Sequence, residues 1–187
     1  IPNANRKDVR DTVEAASKAI SKPPTNFNRA QILYYLAENL QDRKSTFSNL
    51  LSSLIGISQK DANLEFDQSI ERLFYYGAMA DKFEGSIHNP PMRGLTLAVK
   101  EPIGIVANIL NDQFPLLSLI TTLGANFAAG NSNIIIPGQK TSLLATELYQ
   151  LLETSDVPAG YINILTTVQN SLNKILAEHE SIDGIWC

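Results

Sequence analysis

The chain has 187 residues, 44% of them hydrophobic, with 15 basic and 19 acidic side chains and a formal net charge of -4. This is enough apolar material for one domain, or one domain with an appendage, while the acidic balance gives no electropositive footprint for nucleic acid. No apolar run reaches the roughly 20 residues of a bilayer span, and the opening Ile1-Pro2-Asn3-Ala4-Asn5-Arg6 lacks the apolar centre of a signal peptide. A cytosolic protein without a nucleic-acid or membrane partner is therefore expected.

Four helices are expected first. Val9, Val13, Ala16 and Ile20 recur at helical spacing from Lys7 to Ile20, with Asn5 as cap. After the break at Pro23-Pro24, Ala30, Leu33, Ala37 and Leu40 share a second face. A third helix starts at Ser45, buries Phe47, Leu50, Leu51 and Leu54, and ends at Gly56. Ser58, with Asp61 three residues on, caps a long fourth whose stripe is Ala62, Phe66, Ile70, Leu73, Gly77 and Ala80.

The pattern then changes. Asn89-Pro90-Pro91 prevents helix, and Leu95, Leu97 and Val99 alternate with Thr96, Ala98 and Lys100 as in an edge strand or a projecting hairpin arm. Beyond Pro102 come short continuous apolar runs, Ile103 to Leu110, Asn133 to Ile136 and Tyr161 to Leu165, which read as strands covered on both faces. Helices are expected at Pro115 to Ala129, Thr141 to Glu153 and Val168 to Glu178, and a further strand begins at Ile182 to Cys187 and is left unfinished. This alternation predicts right-handed crossovers in a parallel sheet. The fold class is α/β: a helical part at 1–86, a β arm at 87–101, and a partial Rossmann-like sheet with flanking helices at 102–187.

Few chemistries survive inspection. The single Cys187 excludes an internal disulfide, and His88 and His179 lie far apart without neighbouring ligands, so no metal is expected. Gly-x-Gly-x-x-Gly, P-loop, Gly-x-Ser-x-Gly and His-Glu-x-x-His signatures are absent. Cys187, at the end of a buried-looking strand, reads as a small core residue rather than a nucleophile. The start at Ile1 and the stop within Ile185-Trp186-Cys187 suggest a chain cut at both ends. What remains are two strand-to-helix turns at the carboxyl ends of the expected strands, where open α/β sheets bind ligands. Asn111-Asp112-Gln113-Phe114-Pro115 puts Pro at a first helical position and leaves backbone donors and one amide facing the crevice. Pro137-Gly138-Gln139-Lys140-Thr141 is the second. Ordinary turn chemistry accounts for both as well.

In order and spacing, these pieces resemble the amino-terminal half of the aldehyde dehydrogenase superfamily. The resemblance is carried by Val13-Glu14-Ala15-Ala16, by Arg29-Ala30-Gln31-Ile32-Leu33, and by Glu101-Pro102-Ile103-Gly104-Ile105-Val106. It continues in Leu123 to Asn131, with its Ala-Gly-Asn turn, and in Pro158-Ala159-Gly160-Tyr161-Ile162-Asn163. The run Tyr34 to Leu40 and the segment Arg72 to Lys82 are similar to the second, non-catalytic module of the two-module family sixteen enzymes.

The departures carry the functional reading. Where the family has Pro-Trp-Asn-Phe-Pro, Gln113 stands at the position of the asparagine that supports the thioester oxyanion, one methylene longer. Where Gly-Asn-Thr-x-x-x-Lys-Pro-Ser-Glu holds the adenosine ribose, Ile136 replaces the lysine, Gly138 the serine and Gln139 the glutamate. By the resemblance NAD is the implied cofactor, and Leu110, Asp112, Gln113, Ile136, Gly138 and Gln139 occupy its cofactor positions. A hydrogen bond to a charged group contributes about 1.5–3 kcal/mol, so losing the lysine weakens cofactor binding roughly ten- to more than a hundredfold. The family's thiol nucleophile and general-base glutamate belong to its later half. The resemblance thus implies a catalytically silent module that packs on a protein partner or a second copy through the β arm. Its alternative is a piece of an NAD-dependent aldehyde oxidoreductase acting through a thioester.

Overall fold

The computed structural model describes residues 1–82, 85–168 and 171–187. Helix α1 (Arg6–Ile20) opens with a capping box, in which Asn5 accepts from the helix and Asp8 Oδ2 accepts from Asn5 N at 2.8 Å. Helices α2 (Asn26–Gln41), α3 (Lys44–Ile55) and α4 (Gln59–Ala80) follow. Ser58 Oγ accepts from Asp61 N at 3.1 Å, as the spacing implied. In α3, Phe47 and Leu51 are fully buried while Leu50 and Leu54 only lean on the core.

Strands β1 (Ser86–His88) and β2 (Thr96–Ala98) form an antiparallel ribbon exposed on both sides. This is the projecting arm. The remaining elements are β3 (Ile105–Ile109), α5 (Pro115–Ala129), β4 (Ser132–Ile136), α6 (Ser142–Thr154), β5 (Ile162–Ile164), α7 (Asn173–Ala177) and β6 (Gly184–Trp186). Of the helix expected over 168–178, residues 169 and 170 lie outside the described residues, and the described part is the short α7.

Four strands pair in parallel in the order β5-β4-β3-β6. One face carries Ile105, Ala107, Ile134 and Ile136 against Val9, Val13 and Ala16 of α1 and Leu176 of α7. On the other, Leu110 and Ile135 join one apolar cluster that includes α5, α6 and the helices α2 to α4. Side chains alternate between these layers because successive strand residues point to opposite faces.

The motif asparagines act as ties. Asn131 Oδ1 accepts from Ile103 N at 2.6 Å and Gly104 N at 3.1 Å, fixing the entry to β3. Asn163 Nδ2 donates to Gly160 O at 2.7 Å and Asn133 O at 3.1 Å.

Two sequence expectations are corrected. Ile103 is 67% exposed and precedes the strand, since the backbone turns at Gly104 before pairing begins. Cys187, read as a small core residue, is exposed at the end of β6, an edge strand that pairs with β3 alone among the described residues and leaves Trp186 67% exposed. Among the described residues no helix is long and apolar enough to cross a membrane.

Candidate functional site

From β3 the chain steps to β4 and β5 on one side, then returns to lay β6 on the other side of β3. That reversal is a topological switch point, and open α/β sheets bind ligands outside the carboxyl ends of the strands there. A groove of about 740 Å³ runs beside it, between β3, β6 and α5. Asn108, Leu110, Asn111, Phe114 and Asn126 line it, with Trp186 at its edge. Its floor is polar: Asn108, inside an otherwise apolar strand, donates from Nδ2 to Asn133 Oδ1 at 3.0 Å and accepts from Asn126 Nδ2 at 3.4 Å.

The turn after β3 is held from several directions. Leu110 N donates to Ile136 O at 2.8 Å, extending the β3–β4 pairing by one residue. Asn111 Oδ1 accepts from Gln113 N at 2.8 Å, a local turn in which the side chain mimics backbone. Phe114 then adopts φ 45° and ψ 55° and is 66% exposed. An aromatic residue in the left-handed region carries backbone strain of order 1 kcal/mol or more. Such strain persists only where surroundings enforce it, and here the next residue, Pro115, opens α5 with its own φ fixed.

The first backbone donors of α5 are engaged within the protein. Glu65, a buried carboxylate on α4, accepts from Leu116 N at 2.9 Å and from Leu117 N at 3.2 Å through Oε1. A carboxylate satisfies both the unpaired donors and the positive end of the α5 dipole. Burial pushes the Glu65 carboxyl above the usual glutamate range, and the two N–H donors pull it partly back. Sequence reading passed over Glu65. The signal was present, since Ala62, Glu65, Phe66 and Ser69 follow the core-facing period of α4, and a charged residue on such a stripe must have a partner.

The second turn meets the first through one side chain. Asp112 Oδ1 accepts from Lys140 N at 3.1 Å and from Thr141 Oγ1 at 3.1 Å. It lies so close over Gly138 that a Cβ there would overlap the carboxylate. Gly138 O accepts from Thr141 N at 3.2 Å and from Ser142 Oγ at 3.1 Å, closing the turn that starts α6.

Of the six residues singled out from the sequence, the structure therefore joins Asp112 with Gly138. Leu110 is buried at the groove wall, and Gln113 and Gln139 are exposed. Ile136 is 3% exposed and packs into the layer shared with α1 and α7, so it offers no polar group at the strand end. The residues present do not fit the ribose and phosphates of a dinucleotide as they stand. Two donors of the second turn, Lys140 N and Thr141 Oγ1, already serve a carboxylate, and the residue at the lysine position is apolar core.

A helix-flanked parallel sheet with its crevice at this switch point defines the Rossmann-like class of α/β proteins. The match of a single family model, the aldehyde dehydrogenase family, to residues 1–186 makes the chain a member of that family. Among curated relatives, the 2,5-dioxopentanoate dehydrogenase of Saccharolobus solfataricus is 30% identical over 94% of this chain and 38% of its own length. The structure of an NAD-dependent aldehyde dehydrogenase from Sinorhizobium meliloti superposes with TM-score 0.93 at 25% identity, over 98% of this chain and 38% of that one. PnpE in complex with nicotinamide adenine dinucleotide gives TM-score 0.93 at 30% identity, over 99% and 39%. The chain thus spans well under half the length of the relatives it matches, and corresponds to their amino-terminal part.

Proposed function

We propose that this chain supplies the nucleotide-fold half of an aldehyde dehydrogenase-type oxidoreductase, the thiol nucleophile and general base lying outside these residues. The observation that carries this reading is the family match across residues 1–186 at only 38% of the relatives' length. In this role Gln113, exposed beside the strained Phe114, would donate its amide to the oxyanion of a thioester-forming step. Leu110, Asp112, Ile136, Gly138 and Gln139 would border a cofactor crevice with a weakened grip.

The test is NADH formation from an aldehyde by the full polypeptide that carries this chain, at millimolar cofactor. Gln113→Ala is expected to lower kcat about a hundredfold, the scale of one lost oxyanion donor. Turnover unchanged by that substitution would make Gln113 a bystander.

A second reading is favoured by the buried Ile136 and by the seating of Asp112 on the second turn. In it the module is catalytically silent, like the second module of family sixteen enzymes, and serves to pack on a protein partner or a second copy. The ribbon β1–β2 supports such a role, because Ile87, Leu95, Leu97 and Val99 all stand exposed along it, and an open strand edge can extend a neighbour's sheet. Absence of NADH formation at any cofactor concentration, with a stable complex retained, would favour this reading.

A further inference from the structure

We propose that Asp112 is a built-in anionic latch: its carboxylate occupies the Lys140 and Thr141 donors of the turn that opens α6 and so sets the affinity of that turn for a dinucleotide. The inference rests on reading the crevice as a cofactor cradle, as above. Three observations meet at one atom. Oδ1 of Asp112 takes both Lys140 N and the Thr141 hydroxyl, each at 3.1 Å. Gly138 leaves the space in which the carboxylate sits, and any side chain there would collide with it. The turn also feeds α6, a 13-residue helix whose amino-terminal end attracts negative charge.

The consequence follows from charge and from occupancy. A phosphate or sugar hydroxyl approaching this turn finds two of its donors engaged and meets a negative charge already seated there. Like charges brought together weaken binding. The sequence differences at positions 112 and 138 then make sense as a pair. An acidic residue at 112 needs a glycine at 138, and together they shut a turn that the resemblance assigns to cofactor contacts.

Two substitutions separate the contributions. Asp112→Asn keeps an oxygen that accepts from Lys140 N and Thr141 Oγ1 but removes the charge, whereas Asp112→Ala removes both. NAD is titrated calorimetrically into each, with circular dichroism and thermal melting confirming the fold. The expected result is weak binding by the unsubstituted protein, a gain on the order of tenfold for Asp112→Asn, and a larger gain for Asp112→Ala. Folded variants that bind NAD no better than the unsubstituted protein would overturn the latch while leaving the cradle reading intact. Micromolar binding by the unsubstituted protein would overturn the weakened cradle itself, and the latch with it.

Discussion

Glu65 offers a perturbation whose size can be worked out from the structure. Replacing it by Ala removes the acceptor for Leu116 N, a fully buried residue, and for Leu117 N, which lies nearer the surface. A buried donor left without a partner costs about 1–3 kcal/mol. The second donor can recover water and costs less, while relief from burying a carboxylate offsets part of the loss. The expected net destabilisation at neutral pH is roughly 2–4 kcal/mol. With a urea slope of about 2 kcal/mol per molar, the middle of the usual range, the unfolding midpoint followed by circular dichroism should fall by about 1–2 M.

Glu65→Gln, which keeps an acceptor oxygen, should recover most of that difference. The same pair of proteins tests the titration. Because the folded-state carboxyl is raised above its ordinary value of 4.5, its stabilising term is complete below that value and is lost as pH climbs through the raised one. The unsubstituted protein should therefore be more stable relative to Glu65→Gln at pH 4.5 than at pH 7. A Glu65→Ala midpoint within about 0.3 M of the parent would refute the claim that this carboxylate holds the start of α5.

Gly160 has φ 85°, and a Cβ there would press on Ala15 O of α1; Gly160→Ala is expected to cost about 1–3 kcal/mol in thermal or urea unfolding. The Arg29 guanidinium is buried and donates to Ala128 O at 3.1 Å, Pro24 O at 2.8 Å and Asn26 Oδ1 at 2.7 Å. Arg29→Met should therefore destabilise by roughly 3 kcal/mol, with Arg29→Lys recovering only part, since a lysine cannot reproduce the fork. In the β arm, Leu97→Lys should shift any self-association toward monomer in sedimentation velocity without altering the melting temperature. An unchanged assembly would remove the arm from the interface.

The helical part was legible because its helices bear apolar stripes at helical spacing and, in α1 and α4, the polar caps Asn5 and Ser58. Parallel strands were legible at Asn133 to Ile136 because a run apolar on both sides needs cover on both faces. β6 showed in the sequence only as the start of an unfinished strand. Ile185 and Trp186 look like core residues, but pairing on one side and layers that end before them leave both exposed. At the site, the positions of Asp112 and Gly138 were visible in sequence, whereas their contact joins residues 26 apart and depends on two adjacent strand ends. Glu65 was hidden by distance: its partners lie 51 and 52 residues onward.

The dinucleotide cradle proposed at the strand-end turns that carry Asp112 and Gly138 is expected to have a diminished grip. Calorimetric titration of NAD into the unsubstituted protein measures this directly. Half-saturation in the millimolar range, corresponding to about -4 kcal/mol, is the expected result. Saturation at low micromolar NAD, about -8 kcal/mol, would contradict it.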